Sequence, residues 1–234
     1  MTASDLNLVE RLEKLFTTVV CDIVDDYYDG VSSNRYLMEM QIKPVFPNMK
    51  VSGIAKTFSG ASSAAGGEEG GGQPGTPQAV QTGDVALESI GPGEVVVYGT
   101  NHCRNAACWG ELMTTAAMAR GGRGLVTDGL ARDLNRIGSM RPIFPVFAAG
   151  ATPTSGKGRF GIREFNVPVW CGGVAVQPGD FVLGDLDGVI VIPRAIAPDV
   201  IAKSEERLGT EDKVRDAFQK REPVAEIMKK YKVG

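Results

Sequence analysis

The sequence predicts an α/β chain, on three observations. A helix, a glycine turn and a buried strand follow one another between Trp109 and Asp133. Short apolar strands separated by glycine- and aspartate-rich turns fill residues 167–193. Leucines at helical spacing open the chain, and a charged amphipathic stretch closes it.

The central unit is Trp-Gly-Glu-Leu-Met-Thr-Thr-Ala-Ala-Met-Ala-Arg-Gly-Gly-Arg-Gly-Leu-Val-Thr-Asp-Gly-Leu-Ala-Arg-Asp. Leu112 to Arg120 is rich in good helix formers. Gly121 and Gly122 end that helix, where a positive φ is needed. Gly124 to Thr127 is a short apolar strand, and Asp128-Gly129 is a turn signal. Gly110-Glu111 falls at a helix N-terminus, whose free backbone N–H groups attract an anion. Arg132-Asp133 follows the strand and puts a bidentate anion clamp beside a hard metal ligand. That is where open α/β sheets place their ligands. The two ends of the unit are expected to converge on one small oxoacid and one divalent metal.

Composition narrows the class. The 234 residues are 43% hydrophobic and 23% charged, with a net charge of −3. These values suit a globular chain and give no basic surface for nucleic acid. No apolar run reaches the length of a membrane span. The first residues lack the basic and apolar regions of a signal peptide, so a cytoplasmic protein is expected. The four cysteines are scattered, without metal-type pairing. The single histidine, His102, excludes a multi-histidine zinc site within the chain and argues against a Ser-His-Asp triad. Oxygen ligands, and therefore Mg²⁺ or Mn²⁺, are favoured.

In chain order, residues 5–15 carry Leu8, Leu12 and Leu15 on one helical face, and a second helix begins after Thr17-Thr18. Its Asp22, Asp25 and Asp26 read as a solvated face rather than a metal site. Val51 to Phe58 alternates like a half-buried strand. Residues 59–77 are Gly-rich and low in complexity, and read as a mobile surface loop. Glu94 to Tyr98 is a buried strand leading to a polar loop, Asn101 to Asn105, and Arg141 to Phe147 is another strand. Thr152 to Arg159 lacks the spacing of a phosphate loop and reads as a basic surface loop. Asp180, Asp185 and Asp187 are turn acids with structural roles. The helical arm 197–234 should break near Gly209 and Pro223.

Three motifs together resemble one family. They are Trp-Gly-Glu-Leu-Met at 109–113, Gly-Leu-Val-Thr-Asp-Gly-Leu-Ala-Arg-Asp at 124–133 and Pro-Gly-Asp-Phe-Val-Leu-Gly-Asp-Leu-Asp-Gly-Val-Ile-Val-Ile-Pro at 178–193. Thr17 to Val24 fits the opening helix. The family contains the regulator of ribonuclease activity A and the class II 4-hydroxy-4-methyl-2-oxoglutarate aldolases. The resemblance implies a three-layer β/β/α swivelling-type domain spanning 1–234, assembled as a homotrimer or homohexamer. It implies a lyase that cleaves a 4-hydroxy-2-oxo acid to pyruvate and a second oxo compound, and that also decarboxylates oxaloacetate. The backbone of Gly110, Glu111, Leu112 and Met113 would hold the small 2-oxo acid substrate. Arg132 would bind its carboxylate, Asp133 would hold Mg²⁺ or Mn²⁺, and Glu111 would support the metal through water. A glutamate of a neighbouring subunit's C-terminal helix is implied as a further catalytic group; Glu211 is the best match and Glu206 the next. The Gly-rich stretch and Asn101 to Arg104 depart from the family pattern, where the distal part of a substrate would sit. The alternative is a non-catalytic regulator binding a protein such as a ribonuclease. It would not need Glu111, Arg132 and Asp133 together.

Overall fold

A computed structural model describes residues 2–28, 35–62 and 78–232. Two helices open the chain, α1 (Ala3–Leu12) and α2 (Thr17–Tyr27). Thr2 caps α1 reciprocally with Asp5, which satisfies two of the free N–H groups of the first turn. Strands β1 (Lys43–Pro44) and β2 (Val51–Ser62) follow, then α3 (Gln78–Glu88), β3 (Glu94–Gly99), β4 (Ala107–Trp109) and α4 (Glu111–Ala119). Next come β5 (Gly124–Ala131), α5 (Leu134–Ser139), β6 (Val146–Ala151), β7 (Phe160–Phe165), β8 (Val169–Cys171), β9 (Val174–Val176), β10 (Phe181–Gly184) and β11 (Val189–Ile192). Two helices, α6 (Ala197–Gln219) and α7 (Val224–Tyr231), end the described chain.

Among the described residues nine strands share one mixed sheet, in the order β1-β6-β5-β3-β2-β10-β11. β4 extends it beside β5 and β7 beside β2, while β8 and β9 form a separate ribbon. The β2, β3, β5 and β6 neighbours run parallel. The sheet curls until its two edges meet. Leu37, six residues before β1, bridges to Ile190 of β11, and Lys43 Nζ donates to the Asp187 carbonyl at 2.6 Å. The result is a nearly closed barrel with helices outside, the mixed α/β fold the sequence led us to expect.

Alternation along β10 and β11 shows the layers. Phe181, Leu183, Ile190 and Ile192 pack against α1, α2 and α6, beside Leu12, Val20, Val200 and Ile201. Val182, Val189 and Val191 point the other way, into the core with Phe58, Leu125 and Phe147. Side chains that alternate across a strand give each face its own partner.

Several expectations need correction. β2 is not half-buried. Seven of its first eight residues are buried, because a central strand is covered on both faces. It also runs on through Ser62, so 59–62 belong to a strand; residues 63–77 lie outside the described residues. Gly121 has φ +81° as expected, but Gly122 is not left-handed and is small because Ala117 O and Ile90 crowd it. The strand expected at 141–147 starts at Val146. α6 passes through Gly209 unbroken, since its packing continues on both sides of that residue; Pro223 does separate α6 from α7.

Asp128-Gly129 is not a turn. β5 runs straight through it with every residue buried, and its pairing with β6 is interrupted there. A Cβ at Gly129 would come within 2.8 Å of Cys108 Sγ and Thr100 Cγ2, so only glycine fits. The buried Asp128 carboxylate accepts from Thr100 N and Thr100 Oγ1, both at 2.7 Å, and from His102 N at 3.3 Å. This pins the loop that holds Asn101 and His102, both left-handed, near φ +52° and +55°. Asp128→Ala strands these buried donors. We expect a loss of about 2–4 kcal/mol in urea unfolding, the size typical when buried polar groups lose their partner. A loss below about 0.5 kcal/mol would show that water replaces the carboxylate there.

Candidate active site

The site forms at the C-terminal ends of the parallel strands, the ordinary place for a ligand in such a sheet. β4 lies beside the end of β5, pairing Trp109 with Ala131, and Arg132 N donates to Trp109 O at 2.9 Å. The start of α4 and the residues after β5 are thereby held side by side. Trp109 is fully buried, and its indole N–H donates to Thr114 Oγ1 at 2.8 Å. Thr114 Oγ1 in turn donates to Gly110 O at 3.0 Å. The first turn of α4 is fixed from both sides.

Asp133 is the N-cap of α5, in a left-handed conformation with φ +60°. Its Oδ2 accepts from Glu111 N at 3.2 Å and lies 3.3 Å from Arg132 Nε. Gly110 is extended, with φ −147° and ψ −172°, so any residue could adopt its backbone. Space is what forbids a side chain: a Cβ there would lie 2.8 Å from Asp133 Oδ2 and 3.2 Å from Arg132 Cγ and Nε. The structure thus brings Gly110, Arg132 and Asp133 together as the sequence predicts.

These residues line a cleft of about 360 Å³. One wall is Trp109, Gly110, Leu112, Met113, Arg132 and Asp133. The other comes from Gly83, Asp84 and Leu87 of α3 and from residues 155–157 and 160–162, with Lys157 a second cation. Cys108 also lines the cleft, but burial pushes its thiol up to about 12, so it is protonated and no nucleophile. Arg132 and Asp133 border a shallower groove on their far side, with Asn135, Arg136, Thr152 and Pro153.

Other expected residues lie elsewhere. The Glu111 carboxylate accepts from Thr115 Oγ1 at 3.1 Å along α4 and is not among the groups lining the cleft. Glu211 is on α6, 3.5 Å from Arg207, which also reaches Asp22 and Asp26 of α2. Glu205 pairs twice with Arg11, at 2.9 and 2.7 Å, and Glu206 is exposed. Residues 101–104, expected near a substrate's distal end, do not line the cleft; their loop is bonded to Asp128 through Thr100 N and His102 N. Two of the three turn acids, Asp180 and Asp185, are structural as expected. Asp180 accepts from Gln177 N and Arg194 N, and Asp185 from Thr17 N and Oγ1. Sequence reading missed α3, and with it Asp84 and Leu87.

Among the described residues no three His, Cys, Asp or Glu groups converge to make an all-protein metal cage. The donors do fit a hard cation held in part by water and substrate. Asp133 offers an accessible carboxylate, about one third exposed, beside the notch left by Gly110. Mg²⁺ characteristically takes one or two carboxylates and keeps the rest of its shell for water and ligand oxygens.

Residues 17–191 match the family described as Aldolase/RraA. The chain belongs to the RraA-like family. Its relatives include a protein of Halalkalibacterium halodurans named a putative 4-hydroxy-4-methyl-2-oxoglutarate aldolase. That protein is 30% identical over 212 residues, 91% of this chain and 89% of its own length. A crystal structure described among novel cellulases from gut-associated microbes matches with a TM-score of 0.78 and 29% identity, over 91% of this chain and 89% of that one. Streptomyces coelicolor RraAS2, described as an unusual member of the RNase ES inhibitor RraA protein family, matches with a TM-score of 0.73 and 23% identity, over 89% and 96%. RraA-like proteins therefore carry names of different activities on one fold, and the activity has to be argued from the site.

Proposed function

We propose that this protein is a divalent-metal-dependent lyase that cleaves a 4-hydroxy-2-oxo acid to pyruvate and a second oxo compound, and decarboxylates oxaloacetate as a side activity. The observation that carries this reading is the Arg132-Asp133 pair set against the N-terminus of α4, with Gly110 cut back to make room. A regulator that only binds a protein has no use for that arrangement.

Arg132 presents a planar fork to the substrate carboxylate, and the free N–H groups at the start of α4, at Leu112 and Met113, add donors for its oxygens. Asp133 would hold the Mg²⁺ or Mn²⁺; Glu111, turned onto Thr115, would reach the ion's water shell only after a change of rotamer. Such a cation supplies Lewis-acid polarisation of the 2-oxo group. Arg132 also neutralises the negative charge that develops on the pyruvate half as C3–C4 breaks. Leu87, Met113 and Phe160 give the cleft an apolar lining, which would limit water around the breaking bond. No lysine is needed to form a Schiff base. Glu211 would contribute only to the cleft of another copy in a trimer or hexamer, since in its own chain it stays with Arg207.

The test is pyruvate release from oxaloacetate. We expect turnover with Mg²⁺ or Mn²⁺, loss to background after exhaustive chelation, and recovery when either ion is restored. Undiminished turnover after chelation would refute the metal-dependent reading.

A further inference from the structure

We infer that Asp84, on α3, is the general base that takes the proton from the C4 hydroxyl during aldol cleavage, within the same chain as Arg132 and Asp133. This deepens the lyase reading above and rests on it.

The retro-aldol step needs a base near C4. Among the described residues the carboxylates lining the cleft are Asp133 and Asp84. Asp133 is engaged by Glu111 N and Arg132, and its place is at the carboxylate end of the substrate. Glu111 is turned onto Thr115, and Glu211 onto Arg207. Asp84 stands on the facing wall, exposed, with no hydrogen-bond or ion-pair partner among the described residues. Its placement follows from how α3 packs. Ala86 is completely buried, and this rotation turns Asp84 and Leu87, three residues apart, toward the cleft together. A substrate held by Arg132 at C1 would have its far end in the cleft that Asp84 also lines.

The step balances. The Asp84 carboxylate accepts the hydroxyl proton, and the O–H electron pair becomes the new C=O bond of the departing oxo compound. The C3–C4 pair moves into the pyruvate half as its enolate, beside Arg132. Solvent protonates C3, and Asp84 returns its proton to solvent. Oxaloacetate loses carbon dioxide from the same C3–C4 bond but has no hydroxyl proton to give up, so that reaction does not need Asp84.

The two reactions therefore separate the roles. Asp84→Asn keeps the shape of an exposed side chain. With Mg²⁺ or Mn²⁺ present, its kcat for a panel of 4-hydroxy-2-oxo acids, including 4-hydroxy-4-methyl-2-oxoglutarate, should fall about 10²–10³-fold, the usual worth of a general base. Its oxaloacetate decarboxylation should stay within about threefold of the wild type, as the step has no proton for a base to remove. Equal losses in both reactions, or no loss in cleavage, would overturn the assignment. A wild-type protein that decarboxylates but cleaves none of the panel would also overturn it. So would the same split appearing in Glu211→Gln and not in Asp84→Asn, which would give the role to a neighbouring copy. A wild-type protein inactive even on oxaloacetate would instead refute the lyase reading itself.

Discussion

Asp133→Asn is expected to abolish both reactions, by about 10³-fold or more, while leaving the melting temperature within about 2 °C. On the metal-dependent reading, the size follows from losing the charged ligand of a Lewis-acid metal, worth several kcal/mol at about 1.4 kcal/mol per tenfold. Asparagine is the right probe because residue 133 sits at φ +60°. Asn and Asp tolerate that region through local hydrogen bonds, whereas alanine there costs about 1 kcal/mol or more in strain. Asp133→Ala would mix a backbone penalty with the chemical loss. The amide oxygen of asparagine can still accept from Glu111 N, so the loop keeps its shape. The check pairs steady-state kinetics with a thermal melt. A variant within tenfold of the wild type would remove Asp133 from the metal's ligand set.

Gly110→Ala should lower both activities about 100-fold, the scale set by a displacement near 1 Å in a reacting constellation. The backbone accepts alanine without strain, because φ −147° and ψ −172° are ordinary extended values. The added methyl, however, would meet Asp133 Oδ2 at 2.8 Å and Arg132 at 3.2 Å. Either side chain can retreat only by giving up the contacts that set the pair, Asp133 Oδ2 with Glu111 N and with Arg132 Nε. The loss should appear mostly in kcat, with stability changed by less than about 1 kcal/mol because the clash falls on solvent-accessible side chains. Wild-type kinetics in this variant would mean that the Arg132-Asp133 geometry is not what turnover depends on.

Much of this geometry was legible in the sequence. The stretch from Trp109 to Asp133 declared a helix, a glycine stop and a buried strand through local chemistry alone, and the site follows from the order of those elements. What was hidden depends on long-range packing. Asp128-Gly129 has the composition of a turn, yet Thr100, twenty-eight residues away, supplies the hydrogen bonds that let a carboxylate lie inside a strand. β2 alternates in sequence but is covered on both faces, which only the sheet order reveals. α3 follows a run of glycine and proline and has a weak pattern of its own, Gln-Ala-Val-Gln-Thr-Gly-Asp-Val-Ala-Leu-Glu. Its helical state is settled by burying Ala86 and Ile90 against the sheet, so Asp84 could not be placed from residue types. Gly209 signals a helix break by propensity, about 1 kcal/mol against it, which the tertiary contacts of Val200, Ile201, Ser204 and Val214 override.

The cleft has walls of unlike construction. One is stitched into the sheet through the β4–β5 pairing, Arg132 N to Trp109 O, and Glu111 N to Asp133. The other is assembled from α3 and the 155–162 segment, whose Phe160 to Ile162 pair with β2 as part of β7; neither piece shares a backbone hydrogen bond with Arg132 or Asp133. Changes on the second wall can therefore accumulate, lengthen or be exchanged between relatives without disturbing Arg132 and Asp133. On the lyase reading, a scaffold divided in this way lets substrate range drift while Arg132 and Asp133 stay constant, and grafting residues 78–88 and 155–162 from one relative onto another should carry substrate preference with them.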